Sequence, residues 1–197
     1  DLLPPGCEVS ASQRPRTRVR RVVSVSNLVP LKGIDDNLRA LAAIAKHRPD
    51  LLWEYRIVGD GSYREALERL TKDLGIESNV KFLGRLAYDQ TMQEIADSDV
   101  FSLPSWGEAF GIVYLEAMAE GKPCIASTED AACEVVLDGE TGLLVRYGDR
   151  PGLVRVIVEL LGDADKRRRL GDAGRTRLDQ HFTEEQFGQR LWDALRS

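Results

Sequence analysis

The stretch GEAFGIVYLEAMAEGKP, from Gly107 to Pro123, lies just past the middle of the 197-residue chain. The residues directly before it, DVFSLPSW, predict a strand and its exit. Gly111 then predicts a turn, and the residues that follow predict a helix that begins there. Glu108 precedes this turn, and Glu116 lies inside the helix. Ordinary packing does not require carboxylates on both sides of a glycine turn, so the stretch indicates a functional site.

Strands and helices alternate on both sides of this stretch, without an obvious linker, internal repeat or low-complexity segment. Alternation of this kind predicts the α/β class, with a doubly wound parallel sheet and right-handed crossovers, in a single Rossmann-like domain. The predicted strands are Val19–Asn27, Trp53–Gly59, Asn79–Gly84, Asp99–Ser105, Pro123–Ser127 and Thr141–Val145. Three helices, at about 148–162, 164–178 and 183–195, are expected to finish the chain.

Composition excludes several classes of protein. The chain is 43% hydrophobic and 30% charged, which is typical of a soluble globular protein. Its apolar runs are far shorter than the ~20 residues that cross a bilayer. A net charge of −5 argues against general nucleic-acid binding, and the basic stretches RPRTRVRR and KRRR are interpreted as solvated surface. Three cysteines without a C-x-x-C pair favour a reducing compartment, and Cys124 and Cys133 are expected to be buried.

Ligands of a doubly wound sheet bind outside the carboxyl ends of its strands. The loops NLVPLKG, GDG, GRL and PSWGEAFG follow the first four predicted strands. The first of them lacks the G-x-G-x-x-G fingerprint, and no Walker A motif is present, which disfavours NAD and P-loop chemistry. A helix that begins near Gly111 instead offers backbone N–H groups to a phosphate, and glycine permits its close approach. Lys32 would add a positive charge, so the pattern indicates a diphosphate site.

The two glutamates suit the hydroxyl groups that flank such a diphosphate. A carboxylate accepts hydrogen bonds from paired hydroxyls, which sugars and riboses present. Glu116 is expected beside a buried stripe of Ile112, Leu115 and Ala119, and Glu108 on the far side of the phosphates. A ligand with a sugar at each end of a diphosphate is a nucleotide sugar.

The segments NLVPLKG, IVGDG, VKFLGRL, PSWGEAFGIVYLEAMAEGKPCIAS and EVVLDGETGLLV resemble the C-terminal half of the family 4 retaining glycosyltransferases, of GT-B fold. The similarity runs from near Val22 to the end of the chain. Its most specific part is the glutamate pair in P-S-x-x-E-x-F-G-x-x-x-x-E-A, together with the Lys32–Gly33 pair after the first strand.

The resemblance implies a donor that is a nucleoside-diphosphate sugar, and it implies no cofactor and no bound metal. Lys32, with Gly33, would contact the donor diphosphate. Phe110, Gly111 and Ile112 would present backbone N–H groups to the same diphosphate.

The remaining roles concern the two ends of the donor. Glu116 would bind the ribose hydroxyls and Glu108 the transferred sugar, so Glu108 and Lys32 are the expected catalytic residues. Arg85 and Leu86, after the third strand, lie where the family binds the nucleotide base. No D-x-D-like pair is placed at this site, which agrees with metal-independent transfer.

Two positions depart from the family pattern. Asn27 stands where many members have arginine, and it can donate a hydrogen bond but cannot neutralise charge. The segment STEDAACEVV replaces a glycine-rich turn that is common at that point.

The resemblance also implies a domain plan. Residues 1–18 would be an extension or linker, 19–180 the nucleotide-sugar-binding domain, and 181–197 a helix that packs toward an N-terminal acceptor domain absent from this chain. Because the sequence begins at Asp1, we expect a fragment that binds a nucleotide sugar without transferring it. The parent would act in the cytoplasm on a glycan or lipid-linked glycan, with a weak peripheral association at the cytoplasmic membrane face.

Three alternatives remain open at this level. A glycosidase would also use two carboxylates, but it would need no nucleotide site. The chemistry of a sugar-nucleotide epimerase of the same architecture also depends on residues in both halves, so only product analysis of the full-length protein would separate it from a transferase. A non-catalytic nucleotide-binding module would bind the same ligand without chemistry.

Overall fold

A computed structural model of the protein describes residues 18–107, 111–129 and 131–182. Within these ranges the chain alternates strands with α-helices, and short 3₁₀ turns lie at Pro30–Lys32 and Glu77–Asn79. The strands are β1 (Arg20–Val25), β2 (Trp53–Val58), β3 (Val80–Gly84), β4 (Val100–Ser102), β5 (Cys124–Ser127) and β6 (Gly142–Val145). The helices are α1 (Ile34–His47), α2 (Arg64–Asp73), α3 (Tyr88–Ala96), α4 (Ile112–Ala119), α5 (Ala132–Val135), α6 (Arg150–Gly162) and α7 (Ala164–His181).

The strands form one parallel sheet in the order β3-β2-β1-β4-β5-β6. The chain builds outward from β1 in one direction and then from β4 in the other, so the order reverses between these two strands. Helix α1 packs against α2 and α6, whereas α4 packs against α3, α5 and α7. Helices therefore cover both faces of the sheet. The predicted α/β class with a doubly wound, Rossmann-like sheet is confirmed.

The apolar composition of the strands follows from the helices on both faces of the sheet. A parallel strand between two helical layers is apolar along its length rather than at alternate positions. Val22 and Val23 in the middle of β1 are both fully buried, and so is every residue of β5. Buried runs of this kind, such as VVS in β1 and CIAS in β5, made the strands predictable.

Strand β4 is shorter than the predicted range Asp99–Ser105. It ends at Ser102 because Pro104 has no backbone N–H with which to continue a ladder. The Ser105 N–H instead turns back to the Leu103 carbonyl oxygen, over 2.8 Å. The chain thus leaves the sheet at Ser102, several residues before α4 begins.

Helix α5 lies in the segment STEDAACEVV, for which the sequence predicted no helix. Ala132 and Val135 face the core, one helical turn apart. Cys133 lies between them and is exposed, so the prediction that it is buried was wrong. Cys124, in β5, is buried as expected, and its burial raises the pKa of the thiol.

The C-terminal helices α6 and α7 lie close to their predicted ranges. The helix predicted at about 183–195 lies outside the described residues, as do nearly all of 1–18 and of 181–197, so the predicted domain boundaries stay predictions. Over the ranges that the structure describes, no helix is both long and apolar enough to cross a membrane.

Candidate functional site

Lys32 lies on the loop that leaves the carboxyl end of β1. Pro30 opens the 3₁₀ turn, which suits its fixed φ, and Lys32 ends it. Gly33 follows with a φ of 67°, in the left-handed region, and α1 begins at Ile34. Lys32 is half-buried in this turn. The Lys32–Gly33 pair therefore reverses the chain at the carboxyl edge of the sheet.

The loop after β1 contacts the loop after β4. The Trp106 N–H donates to the Leu31 carbonyl oxygen over 2.8 Å. A Cβ added at Gly33 would lie 2.4 Å from the Pro104 carbonyl oxygen, so only glycine permits this approach. Because the strand order reverses between β1 and β4, this is the place where doubly wound folds bind ligands. The structure thus brings the loop of Lys32 against the segment that leads to α4.

Helix α4 begins at a turn that requires glycine. Gly111 has a φ of 76°, and a Cβ there would lie 2.6 Å from Cδ2 of Tyr114. The sequence suggests the approach of a phosphate as the reason for this glycine, but the fold alone requires it. Tyr114 donates its hydroxyl to the Leu103 carbonyl oxygen and meets Phe101 edge to face, with ring centroids 5.6 Å apart. The start of α4 is therefore fixed to the end of β4.

Glu116 lies in the second turn of α4 and is half-buried. Burial raises the pKa of this carboxyl above its ordinary value, because the ionised form loses hydration. A carboxylate in such surroundings gains more from a hydroxyl donor than one in open water. Glu116 is therefore a half-buried carboxyl whose ionised form a hydrogen-bond donor would stabilise.

The predicted buried stripe of α4 was wrong. The buried residues of this helix are Tyr114, Ala117 and Met118, whereas Ile112 is 64% exposed. Every residue of α4 except Glu116 is apolar or aromatic, so periodicity in the sequence cannot tell which side packs. The exposure of Ile112 leaves the first turn of α4 open at the carboxyl edge.

The other predicted site residues lie on neighbouring loops of the same edge. Asn27 is exposed just after β1, and its carbonyl oxygen accepts from the Val29 N–H over 3.0 Å. Arg85 is exposed and Leu86 is half-buried, directly after β3. Because β2 lies between β1 and β3, these two residues are displaced along the edge from Asn27. Glu108 and Phe110 lie outside the described residues.

The GDG turn, Gly59 to Gly61, follows β2 and packs against the loop after β1. A Cβ added at Gly59 would lie 1.8 Å from the Ser26 carbonyl oxygen, and one at Gly61 would lie 2.3 Å from that of Leu28. The Asp60 carboxylate accepts from the Gly61 N–H over 2.8 Å. Both glycines are thus explained by close packing of the two loops, as expected for a turn.

Charge distinguishes α1 and α4, two of the helices that begin at this edge. The first turn of α1 carries Asp35 and Asp36, whereas the first turn of α4 has no acidic residue. Arg150, at the start of α6, donates to Asp36 over 2.7 Å. Burial and then the charge of Asp36 raise the pKa of Asp35. Carboxylates therefore already offset the positive end of the α1 dipole, which leaves the α4 start better suited to an anion.

Two features of this edge were not predicted. One is the Asp36–Arg150 ion pair, which joins residues on helices distant in sequence. The other is an aromatic pair, Trp106 and Tyr147, with ring centroids 6.5 Å apart and exposures of 49% and 38%. No local pattern signals either contact, because each depends on how the sheet orders its strands. Among the described residues, no cluster of His, Cys, Asp and Glu is suited to a metal ion.

The fold and this edge define a C-terminal domain of the GT-B type. The chain matches the family model for glycosyl transferases group 1 over residues 8–177. A crystal structure of Anabaena HepE in complex with UDP and glucose superimposes with a TM-score of 0.80 at 29% identity, over 90% of this chain and 48% of that one. The protein belongs to the glycosyl transferases group 1 family.

Several of its curated relatives are mannosyltransferases. The GDP-mannose-dependent monoacylated alpha-(1-6)-phosphatidylinositol monomannoside mannosyltransferase of Corynebacterium glutamicum is 40% identical over 179 residues, which are 87% of this chain and 46% of that protein. The GDP-mannose-dependent alpha-(1-6)-phosphatidylinositol monomannoside mannosyltransferase of Mycolicibacterium smegmatis is 36% identical over 181 residues, which are 88% of this chain and 47% of that protein. The chain thus spans about half the length of the curated relatives it matches.

Proposed function

We propose that this chain is the donor-binding half of a retaining glycosyltransferase and holds a nucleoside-diphosphate sugar at the carboxyl edge of its sheet. The observation that carries this proposal is the contact between the loops after β1 and β4, since it brings the loop of Lys32 beside the segment leading into α4. Membership of the glycosyl transferases group 1 supports sugar transfer as the reaction of the parent protein.

The diphosphate would lie between Lys32–Gly33 and the start of α4. Phe110, Gly111 and Ile112 would donate backbone N–H groups, and the lack of acidic residues in the first turn of α4 favours an anion there. The α1 start is less suitable because Asp35 and Asp36 already occupy it with negative charge. Lys32 would supply a full positive charge on the other side.

The two ends of the donor would bind to either side of this diphosphate. Glu116 would accept hydrogen bonds from the ribose hydroxyls, and Glu108 from hydroxyls of the transferred sugar. The base would lie near Arg85 and Leu86, farther along the edge. Asn27 would add a hydrogen bond to the diphosphate without neutralising its charge.

In the parent enzyme, the bond between the anomeric carbon and the diphosphate oxygen would break with retention of configuration. Negative charge grows on the leaving diphosphate as that bond breaks. Lys32 and the N–H groups at the α4 start would therefore act mainly in the transition state, without a bound metal. Glu108, against the transferred sugar, completes the proposed catalytic pair.

The relatives suggest which donors to test first. The two mannosyltransferases are named as GDP-mannose-dependent, and HepE is described with UDP and glucose. We place GDP-mannose first because the relatives that use it are more similar in sequence to this chain. The acceptor would be a glycan or lipid-linked glycan, used in the cytoplasm or at the cytoplasmic face of a membrane.

Binding and transfer would separate in this chain. In GT-B enzymes the acceptor site belongs to the other domain, and this chain spans about half the length of its relatives. We therefore expect the 197-residue chain to bind the donor but not to transfer its sugar.

Calorimetry tests the proposal directly. GDP, GDP-mannose, UDP and UDP-glucose are titrated into the protein, with a mannose oligosaccharide in parallel. We expect saturable binding of one nucleotide series and none of the oligosaccharide. Saturation by the oligosaccharide alone would indicate a glycosidase, and binding of no nucleotide would reject the proposed site.

Lys32→Ala tests the diphosphate contact. Removing a charged hydrogen-bond donor should weaken nucleoside-diphosphate binding by about 1.5–3 kcal/mol. Lys46→Ala is the matched control. Lys46 is exposed in the last turn of α1, about 20 Å from the start of that helix, where Lys32 lies. An equal loss of affinity in both variants would mean that only net charge matters and that Lys32 does not contact the ligand.

A further inference from the structure

Strands β1 and β4 stop pairing before they end. β1 pairs with β2 along its whole length, but with β4 only at Val22–Val100 and Val23–Phe101. The last residue of β4, Ser102, lies just beyond these pairs. The two strands are therefore held together by something other than a main-chain ladder at the carboxyl edge, where the proposed donor site lies.

Four polar side chains occupy the place where this ladder stops. The crevice is the space between the carboxyl ends of β1 and β4. The four residues are each 0% exposed, and we call them the crevice-floor cluster: Ser24, Asn37, Tyr55 and Ser102. The Asn37 amide donates to the Ser102 carbonyl oxygen over 3.2 Å and to the Tyr55 hydroxyl over 3.1 Å. The Ser102 hydroxyl donates to the Asn37 amide oxygen over 2.8 Å. Ser24 Oγ also donates to the Ser102 carbonyl oxygen and lies 2.7 Å from the Tyr55 hydroxyl.

Asn37 connects this cluster to the loop of Lys32. It lies one helical turn after Gly33, and its backbone N–H donates to the Gly33 carbonyl oxygen over 3.1 Å. Its side-chain amide also donates to Ser24 Oγ over 3.4 Å, so Asn37 joins the start of α1 to β1, β2 and β4. Ser102, on the other side, leads directly into the loop that precedes α4.

Stability alone does not require polar groups at this place. Well-packed apolar residues can replace a buried polar cluster at little or no cost, and the surrounding core is apolar. Hydrogen bonds differ from apolar contacts in being directional, so a satisfied cluster specifies one arrangement of the elements it joins. The expected effect of the cluster is therefore on geometry at the edge above it.

We infer that Asn37 is a positioning residue that sets the separation between the Lys32–Gly33 turn and the α4 start, and thereby the fit of the diphosphate. This inference rests on the proposed function. Asn37 touches neither ligand nor reacting atoms; it acts through the two loops. Replacing Asn37 removes both hydrogen bonds that join α1 to Ser102 and leaves the Ser102 hydroxyl without this acceptor. Helix α1 and β4 can then move relative to each other.

The test compares Asn37→Leu with Thr71→Val in the 197-residue chain. Thr71 is 3% exposed and donates to the Leu67 carbonyl oxygen within α2, so its variant also loses a buried donor, but far from the crevice. Calorimetry gives affinities for GDP, GMP, UDP and UMP. We expect Asn37→Leu to weaken diphosphate binding about tenfold and to lower the ratio of diphosphate to monophosphate affinity, with Thr71→Val unchanged.

Amide resonances give a readout without ligand. In the ligand-free protein, Asn37→Leu should shift the amide signals of Gly33 and Ile112, and Thr71→Val should not. Tyr55→Phe removes one hydroxyl of the cluster and should show smaller changes of the same kind, which serves if Asn37→Leu does not fold.

The outcomes separate the two proposals. An unchanged affinity ratio with unchanged Gly33 and Ile112 signals would overturn the role of Asn37, as would equal changes in Thr71→Val. If the unaltered chain bound neither GDP nor UDP, the proposed function would fail, and the ligand-free signals would still decide whether Asn37 positions the two loops.

Discussion

At the scale of single residues, Glu116 combines a cost to folding with a proposed role in binding. Its half-buried position in α4 raises the pKa of the carboxyl above 4.5, so the ionised form is disfavoured in the folded protein. The contribution of such a carboxyl to stability is fully present when the pH is below its ordinary, unfolded-state pKa. It is lost as the pH rises through the raised folded-state pKa. At neutral pH, ionised Glu116 therefore lowers the free energy of unfolding.

Glu116→Gln should therefore separate stability from binding. We expect the ligand-free variant to be at least as stable at pH 7, because the amide carries no charge to desolvate. Its affinity for ribonucleotides should fall by about 1.5–3 kcal/mol, since the charged acceptor is lost. Thermal unfolding and calorimetry with GDP and its 2′-deoxy form would measure the two effects.

The control for this change is Glu120→Gln, at the other end of α4. Glu120 caps the helix C-terminus and lies away from the carboxyl edge of the sheet. The variant Glu120→Gln should leave the preference for ribose over deoxyribose unchanged. If Glu116→Gln kept that preference as well, Glu116 would not bind the ribose.

Residue types and spacing predicted part of this site but not its surroundings. Lys32 and Gly111 stand out because each lies at a glycine turn after a strand, and glycine allows the left-handed conformation that such a turn needs. The exposure of Ile112 was not predictable, because an almost wholly apolar helix carries no periodic signal. The Asp36–Arg150 ion pair was not predictable either, since it depends on the packing of α1 against α6.

At the scale of elements, glycines in α7 let it approach α4 closely. A Cβ added at Gly171 would lie 2.0 Å from the Gly121 carbonyl oxygen, at the end of α4. One added at Gly174 would lie 3.1 Å from the Met118 Cγ. Arg175 also donates through Nε to the Ala119 carbonyl oxygen over 2.9 Å. Helix α7 thus supports the end of α4 opposite to the proposed ligand.

Gly171→Ala should destabilise the protein more than Gly174→Ala. Alanine gains roughly 1 kcal/mol in helix propensity over glycine at either position. At Gly171 the new methyl group meets backbone, which cannot yield cheaply, and we expect a net loss of about 2 kcal/mol. At Gly174 it meets a flexible methionine, so the net change should be within about 1 kcal/mol. Urea unfolding measures both, and equal stabilities would show that α7 can move away from α4.

The order of the helices and strands along the chain was predictable, but their ends were less so. Strand β4 was predicted too long because Pro104 lies in an otherwise strand-like segment. The short helix α5 has only two residues facing the core, Ala132 and Val135, which is too few to establish a period. Helices of several turns and strands with several apolar residues in a row can be predicted from their sequence pattern. Shorter helices and strands cannot.

At the scale of the whole molecule, local patterns predict a doubly wound sheet but not which strands become neighbours. The place of β1 beside β4 follows from right-handed crossovers on two sides, and it creates the crevice on which the proposed function depends. Contacts that cross the sheet then determine stability. One of these is a partly buried group of charges that joins three strands.

This charged group centres on Glu54 in β2. Its carboxylate lies 2.6 Å from Arg56, 2.8 Å from Lys81 in β3 and 3.3 Å from Arg21 in β1. Burial alone would raise the pKa of Glu54, but the hydrogen bonds from Lys81 and Arg56 outweigh it and lower the pKa from 4.5 to about 2. The Glu54 side chain is 20% exposed, so water screens these contacts only in part.

The linkage between this pKa and folding gives a prediction for the whole molecule. A carboxyl with a lowered folded-state pKa contributes stability that is complete above 4.5 and is lost as pH falls toward about 2. Glu54→Gln should therefore cost about 2 kcal/mol at pH 7, after allowance for the exposure of Lys81. Between pH 4.5 and 2 the stability of the variant should fall less steeply, and the two proteins should converge. Glu65→Gln removes only an exposed ion pair, at a site 88% exposed, so it should stay within about 0.5 kcal/mol of the unaltered protein, and urea unfolding across this range would show whether it does.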